Sequence, residues 1–134
     1  MAIIKVVCGI IFKKDKVLIC RRSEHKSMAG FWEFPGGKIE SGEQASDALI
    51  RELQEELGMK VIVGAHFKTV RYPYENFTIE LISYTCQFQE ATYKLIDHDE
   101  YEWIELIDLN YKNLAPADIP IAEELIRNRK TTIK

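Results

Sequence analysis

The sequence predicts an α+β domain: a mixed β-sheet with one helix in the middle of the chain and a second at its end. Three observations carry this. β-Branched-rich runs lie at 3–12 and 17–22, and strand-like segments follow at 60–67, 77–88 and around 101–107. Residues 43–57 have helical periodicity and stop at Gly58, a natural C′ residue. Pro116 to Pro120 breaks the chain before a terminal helix of about ten residues, to Arg129 or so.

In chain order, the first two runs are separated by Lys13-Lys14-Asp15-Lys16, which suggests a hairpin. A loop follows from Ser23 to Gly42, punctuated by Gly30, Pro35, Gly36, Gly37 and Gly42. Next come the central helix, two strands of mixed apolar and polar character, and a third strand near Trp103. No repeat, low-complexity tract or linker interrupts the chain, so residues 1–134 are expected to form a single domain.

With 134 residues, 46% of them apolar and 29% charged, the chain can bury an ordinary core without staples, and disorder is excluded. The net charge of −3 argues against nucleic acid as the main partner, so an anionic substrate would need a local cation. Cys8, Cys20 and Cys86 lie in apolar runs with no C-x-x-C spacing, as small buried hydrophobes in a reducing compartment would. The N-terminal MAIIKVVCGIIF is short, carries Lys5 and lacks a cleavage site, so it is expected to be a strand and not a membrane or signal segment. A cytoplasmic protein without a membrane partner, monomer or homodimer, is the expectation.

The stretch from Gly37 to Met59, GKIESGEQASDALIRELQEELGM, spaces its residues as G-x5-E-x7-R-E-L-x-E-E-x-G-M. On a helix with about 100° per residue, Leu49, Ile50, Leu53 and Leu57 share one face, expected to meet the sheet. Glu52, Glu55 and Glu56 fall on a neighbouring face whose other residues are Ala45 and Ala48, while Gln54, Asp47 and Arg51 point elsewhere. A solvated charged face would account for such a cluster, with Arg51–Glu55 and Glu56–Lys60 pairs easing the repulsion. Three carboxylates converging over alanines also suit a hard divalent cation with oxygen ligands. Ser41 and Gln44 form a candidate capping box.

That 23-residue pattern resembles a complete Nudix box, and the chain is similar over nearly its full length to the Nudix hydrolases, which split a nucleoside diphosphate linked to another group. The resemblance implies a mixed sheet sandwiched between helices, an α/β/α sandwich. It also implies Mg²⁺ as cofactor, with Mn²⁺ possible. The metal ligands would be Glu52, Glu55, Glu56 and the Gly37 carbonyl, with Glu43 and Arg51 as the pair fixing the loop–helix geometry. In such enzymes metal ions neutralise charge on phosphate oxygens and a carboxylate takes the proton of the attacking water. Box glutamates can do this. So can Asp97, which falls where relatives carry a Glu six residues before the tryptophan, here Trp103. An acidic turn at Asp97-His98-Asp99-Glu100 is the alternative.

Phe31-Trp32-Glu33-Phe34-Pro35-Gly36-Gly37 and Arg21-Arg22 resemble the MutT-type branch of the family, which implies that Arg22 contacts a substrate phosphate. A surface arginine at a strand end is the other explanation. Leu114-Ala115-Pro116-Ala117-Asp118-Ile119-Pro120 is similar to the same stretch in bacterial CTP pyrophosphohydrolases. MutT-type enzymes carry Asn in a related element. An ionised Asp only accepts hydrogen bonds, which matches the N4 amino group of cytosine. Asp118 equally fits an N-cap, and a protonated Asp118 could serve a purine. Tyr74 and Phe77 are candidate stacking partners for the base, or core aromatics. His25 and His66 lack ligand spacing and receive no function.

The expected substrate is a nucleoside triphosphate, hydrolysed to a monophosphate and pyrophosphate, with (d)CTP or a modified cytosine nucleotide favoured. The alternatives are an 8-oxo-dGTP diphosphatase that sanitises the nucleotide pool and, in another class, a non-catalytic Nudix-like nucleotide-binding module.

Overall fold

The computed structural model of the protein describes residues 2–132. The first hairpin joins β1 (Ala2–Lys13) to β2 (Lys16–Arg22), with Phe12 opposite Val17 and Lys13 opposite Lys16. Its tight turn holds Lys14 at φ 57°. After this turn β2 diverges, and the freed edge of β1 is taken by β4 (Gly36–Lys38), which pairs with Val6 to Cys8.

The other edge of β1 runs parallel to β6 (Phe77–Ala91) from Ala2 to Phe12. β6 in turn pairs antiparallel with β5 (Met59–Pro73), whose ladder is broken by register shifts between Lys60 and Lys68. β2 carries β3 (Trp32–Glu33) at its end and β7 (His98–Glu105) along its far edge. One parallel pair among antiparallel ones makes the sheet mixed, as the sequence predicts.

The apolar runs of β1 and β2 are continuous because both faces of the sheet are covered. On one face, Val7, Ile11, Leu18 and Cys20 pack with Leu49, Leu53 and Leu57 of α1 (Ala45–Leu57). On the other, Cys8, Ile10, Val17 and Ile19 pack with Ile121, Ala122 and Leu125 of α2 (Ile119–Thr132). Odd and even positions of one strand therefore serve two cores. The three cysteines are buried and free, and burial pushes the Cys86 thiol up to about 12.

Several boundaries differ from expectation, each for a local reason. The 23–42 loop contains β3 and β4, which are two and three residues long and too short to show a period. β5 and β6 run past 67 and 88 to Pro73 and Ala91, because each supplies the other's backbone partners out to the ends. The last strand begins at His98, and Leu106–Tyr111 winds into a 3₁₀ turn instead of extending it. The terminal helix has 14 residues and begins directly after a 3₁₀ turn, Pro116–Asp118. The Ser41–Gln44 box does not form: Gln44 is the N-cap residue and makes no side-chain cap bond. Instead Glu43 Oε1 accepts the Glu40 amide at 3.0 Å and closes the turn before α1. Among the described residues, no helix is long and apolar enough to cross a membrane.

Candidate active site

The face of α1 that meets the sheet is not the one the leucines alone suggest. Ile50 is 51% exposed, whereas Ala48 is fully buried and Ala45 packs on the same core. The buried stripe is thus rotated toward the alanines. At about 100° per residue, Glu56 lies about 20° from Leu49, and Glu52 lies between Glu56 and Ala48. Two of the three glutamates therefore sit on the inner half of the helix. Only 15% of the Glu52 side chain is exposed, against 58% for Glu55.

Gly37 is what lets Glu52 fit. A Cβ at position 37 would overlap the Glu52 carboxylate, and one at Gly36 would run into the Val7 carbonyl across the β1–β4 ladder. Burial, only partly offset by Arg51, raises the Glu52 carboxyl above its usual range.

Arg51 points into this cluster and not away from it. It pairs bidentately with Glu43, at 2.8 and 2.9 Å, and donates to the Lys38 carbonyl at 3.1 Å. Its Nη1 also reaches Glu52 at 3.1 Å, Glu55 at 3.2 Å and, more distantly, Glu40 at 3.8 Å. The hydrogen bonds from Arg51, with the Glu40 amide second, hold the Glu43 carboxyl down at about 2. Glu43 and Arg51 thus tie the glycine loop to the helix. No Glu56–Lys60 pair forms among the described residues.

Glu56 faces Asp97 instead. Burial first, and then the hydrogen bond and negative charge of Asp97, push the Glu56 carboxyl up to about 7. Burial also raises Asp97, but hydrogen bonds from Glu56 and Lys26 outweigh it and hold Asp97 below its ordinary value. Lys26 Nζ lies 3.1 Å from Asp97 Oδ1, and the Ser23 amide and hydroxyl both donate to the Asp97 carbonyl at 3.1 Å.

Because Arg51 draws Glu52 and Glu55 along the helix while Glu56 leans to Asp97, no three His, Cys, Asp or Glu groups among the described residues are gathered to hold one ion. The donor set nevertheless fits a hard cation. Glu56 Oε1 is buried without a hydrogen-bond partner, and the Glu52 oxygens beside Gly37 are carboxylate donors held in place.

These groups line a cleft of about 720 Å³, with Gly37, Glu52, Glu55 and Glu56 on one wall and Arg22, Lys26 and Asp97 on the other. Arg22 is held by Nε to the Ser27 carbonyl at 2.7 Å and by Nη1 to Glu33 Oε2 at 3.1 Å. The same Glu33 oxygen lies 2.9 Å from Nε2 of the buried His98. Sequence reasoning missed Glu33, His98 and Lys26, and assigned no function to His25, which also lines the cleft. Their one sequence signal is position: each lies within four residues of a residue singled out for other reasons.

Tyr74, Phe77 and Asp118 lie away from this cleft but together. Tyr74 and Phe77 close the β5–β6 hairpin, their rings stacked at 5.5 Å, with Tyr72 4.9 Å from Tyr74. Asp118 is buried, and its Oδ2 accepts the Phe34 amide at 2.9 Å, a bond across the fold and not a cap on α2. Burial, and then the charge of Glu33, push the Asp118 carboxyl well up. Burial and Asp118 in turn raise the Tyr74 phenol. The segment from Glu33 to Gly37 joins the two halves: Glu33 orders Arg22, Phe34 binds Asp118, and Gly37 admits Glu52.

A carboxylate-lined cleft faced by cations, on a mixed sheet between two helices, defines a phosphate-handling hydrolase, and comparison with known proteins gives the family. Residues 6–124 match the family model described as NUDIX domain. The CTP pyrophosphohydrolase of Escherichia coli K12 is 34% identical over 129 residues, 96% of each chain. The 8-oxo-dGTP diphosphatase of the same organism is 33% identical over 125 residues, covering 92% of this chain and 97% of that one. The crystal structure of a MutT protein from Methanosarcina mazei Go1 superposes with a TM-score of 0.86 at 28% identity, covering 96% of both chains. The chain belongs to the Nudix hydrolases, enzymes that act on diphosphate linkages and generally use divalent metals.

Proposed function

We propose that the protein is a Mg²⁺-dependent nucleoside triphosphate pyrophosphohydrolase that favours cytosine nucleotides. The observation that carries the hydrolytic half is the desolvated carboxylate cluster, Glu52 and Glu56 on the inner face of α1 opposite Asp97 and Arg22. A divalent cation held by Glu52, Glu55, Glu56 and the Gly37 carbonyl would neutralise charge on the phosphate oxygens. Arg22, its guanidinium oriented by Glu33 and Ser27, meets the phosphate chain from the opposite wall. Asp97, which lines the same cleft, is the proposed group to take the proton of the attacking water. A cytoplasmic location and a single domain belong to the same proposal.

The similarity to a CTP pyrophosphohydrolase supports the cytosine preference, and Asp118 is the proposed reader of the base. A second substrate, 8-oxo-dGTP, is favoured by one specific observation. Burial pushes the Asp118 carboxyl well up and so favours its protonated form, which can donate as well as accept, much as an Asn would. Tyr74 and Phe77 are the proposed stacking wall in either case.

Pyrophosphate release from CTP, dCTP, dGTP and 8-oxo-dGTP separates the two. A kcat/KM preference for cytosine nucleotides that is lost in Asp118→Ala supports the first. A preference for 8-oxo-dGTP, kept in Asp118→Asn, supports the second.

A further inference from the structure

The carboxylates of the cleft are compensated by two cations of very different standing. Arg51 serves Glu52 and Glu55, but it is fixed by its bidentate bond to Glu43 and its bond to the Lys38 carbonyl. It cannot leave without undoing the loop–helix junction. Lys26 serves Asp97 through one contact of 3.1 Å, with both side chains about one-third exposed. It stands on the Ser23–Phe31 loop, which is tied down at its ends and at Ser27, so that the Asp97 contact is the one tie its side chain makes among the described residues. When a divalent cation approaches these carboxylates, a fixed positive charge opposes it and a tethered one can move aside. The cleft offers Lys26 an obvious destination, because Arg22 and Lys38 line it and a substrate would bring its phosphates there.

We propose that Lys26 is an exchangeable internal counter-ion of the metal site. It pairs with Asp97 while the site lacks metal and passes to the substrate phosphates when divalent cation and nucleotide bind. Acting first through Asp97, it is a positioning residue, and on transfer it becomes a phosphate contact. The proposal rests on the metal-dependent hydrolase proposed above and adds a residue and an order of events to it.

The test is Mn²⁺ binding to nucleotide-free protein, read from the free-ion electron paramagnetic resonance signal, in wild type, Lys26→Met, Asp97→Asn and the double variant, each checked for folding by circular dichroism. Loss of Lys26 should tighten Mn²⁺ binding by ~5-fold at low salt. The gain should vanish when Asp97 is already Asn. At saturating metal, Lys26→Met should raise KM for CTP by ~5-fold or more and leave kcat within about twofold. Unchanged or weaker Mn²⁺ binding in Lys26→Met would overturn the proposal, as would a gain that persists in the double variant or an unchanged KM. Wild-type protein that binds no Mn²⁺ would instead overturn the metal-dependent hydrolase itself.

Discussion

Arg51 and Glu43 close a two-toothed ion pair across the foot of α1, with Nε 2.8 Å from one carboxylate oxygen and Nη2 2.9 Å from the other. Glu43 also caps the turn at Glu40, so the pair fixes where the helix starts relative to Gly37. Glu43→Gln should lower kcat/KM by ~10- to 100-fold, because the glutamates beyond Arg51 lose their reference point. The Glu43 carboxyl sits at about 2, below its unfolded value, so its contribution to stability is present above that unfolded value and is lost as pH falls through 2. The difference in Tm between wild type and Glu43→Gln should therefore shrink steadily from pH 5 to pH 2.

Glu56 gives the opposite sign. Its carboxyl is raised to about 7, so metal-free wild-type protein loses stability as pH rises from the unfolded carboxylate range toward 7. Glu56→Gln should be inactive by ~10³-fold or more, yet melt higher than wild type at pH 8 in chelator and no higher at pH 4. Calorimetry at the two pH values, with a turnover assay, checks both halves.

Gly37→Ala tests the glycine loop. The added methyl would overlap the Glu52 carboxylate, and β4 is pinned to β1 on either side of it. The side chain can swing away toward the cleft, so the expected loss is ~100-fold in activity with a much smaller change in stability. Activity retained within about twofold would show that Glu52 does not need that place.

Asp118→Asn keeps an oxygen for the Phe34 amide while removing a carboxyl that burial pushes well up. The wild-type fold should lose stability as pH rises above the unfolded carboxylate range, so the variant should gain ~1 kcal/mol at pH 8 and nothing at pH 4. Thermal melts across that range decide it.

The sequence made the sheet's central strands, α1 and the Nudix box legible because each is long or strictly spaced. Where both faces are buried, as in β1, the period-two signal gives way to a continuous apolar run that is just as readable. What it concealed depends on contacts far along the chain. The rotation of α1 that exposes Ile50 and draws Glu52 and Glu56 inward follows from Gly37 and the packing of Ala48. The Glu33–His98 contact spans 65 positions and the Lys26–Asp97 pair joins a glycine-bounded loop to the start of β7. No local pattern encodes either. Asp118 had two local explanations, base reading and an N-cap; its bond to Phe34, 84 positions away, is a third contact that local spacing does not encode.

The proposed reaction on this carboxylate helix breaks the anhydride between the first and second phosphates. The most direct measurement is ³¹P NMR of CTP incubated with the protein and Mg²⁺, alongside Glu56→Gln. Wild type should give CMP and pyrophosphate in equal amounts, with nothing formed without Mg²⁺ and nothing from the variant. Orthophosphate with CDP, or turnover that survives Glu56→Gln, would contradict it.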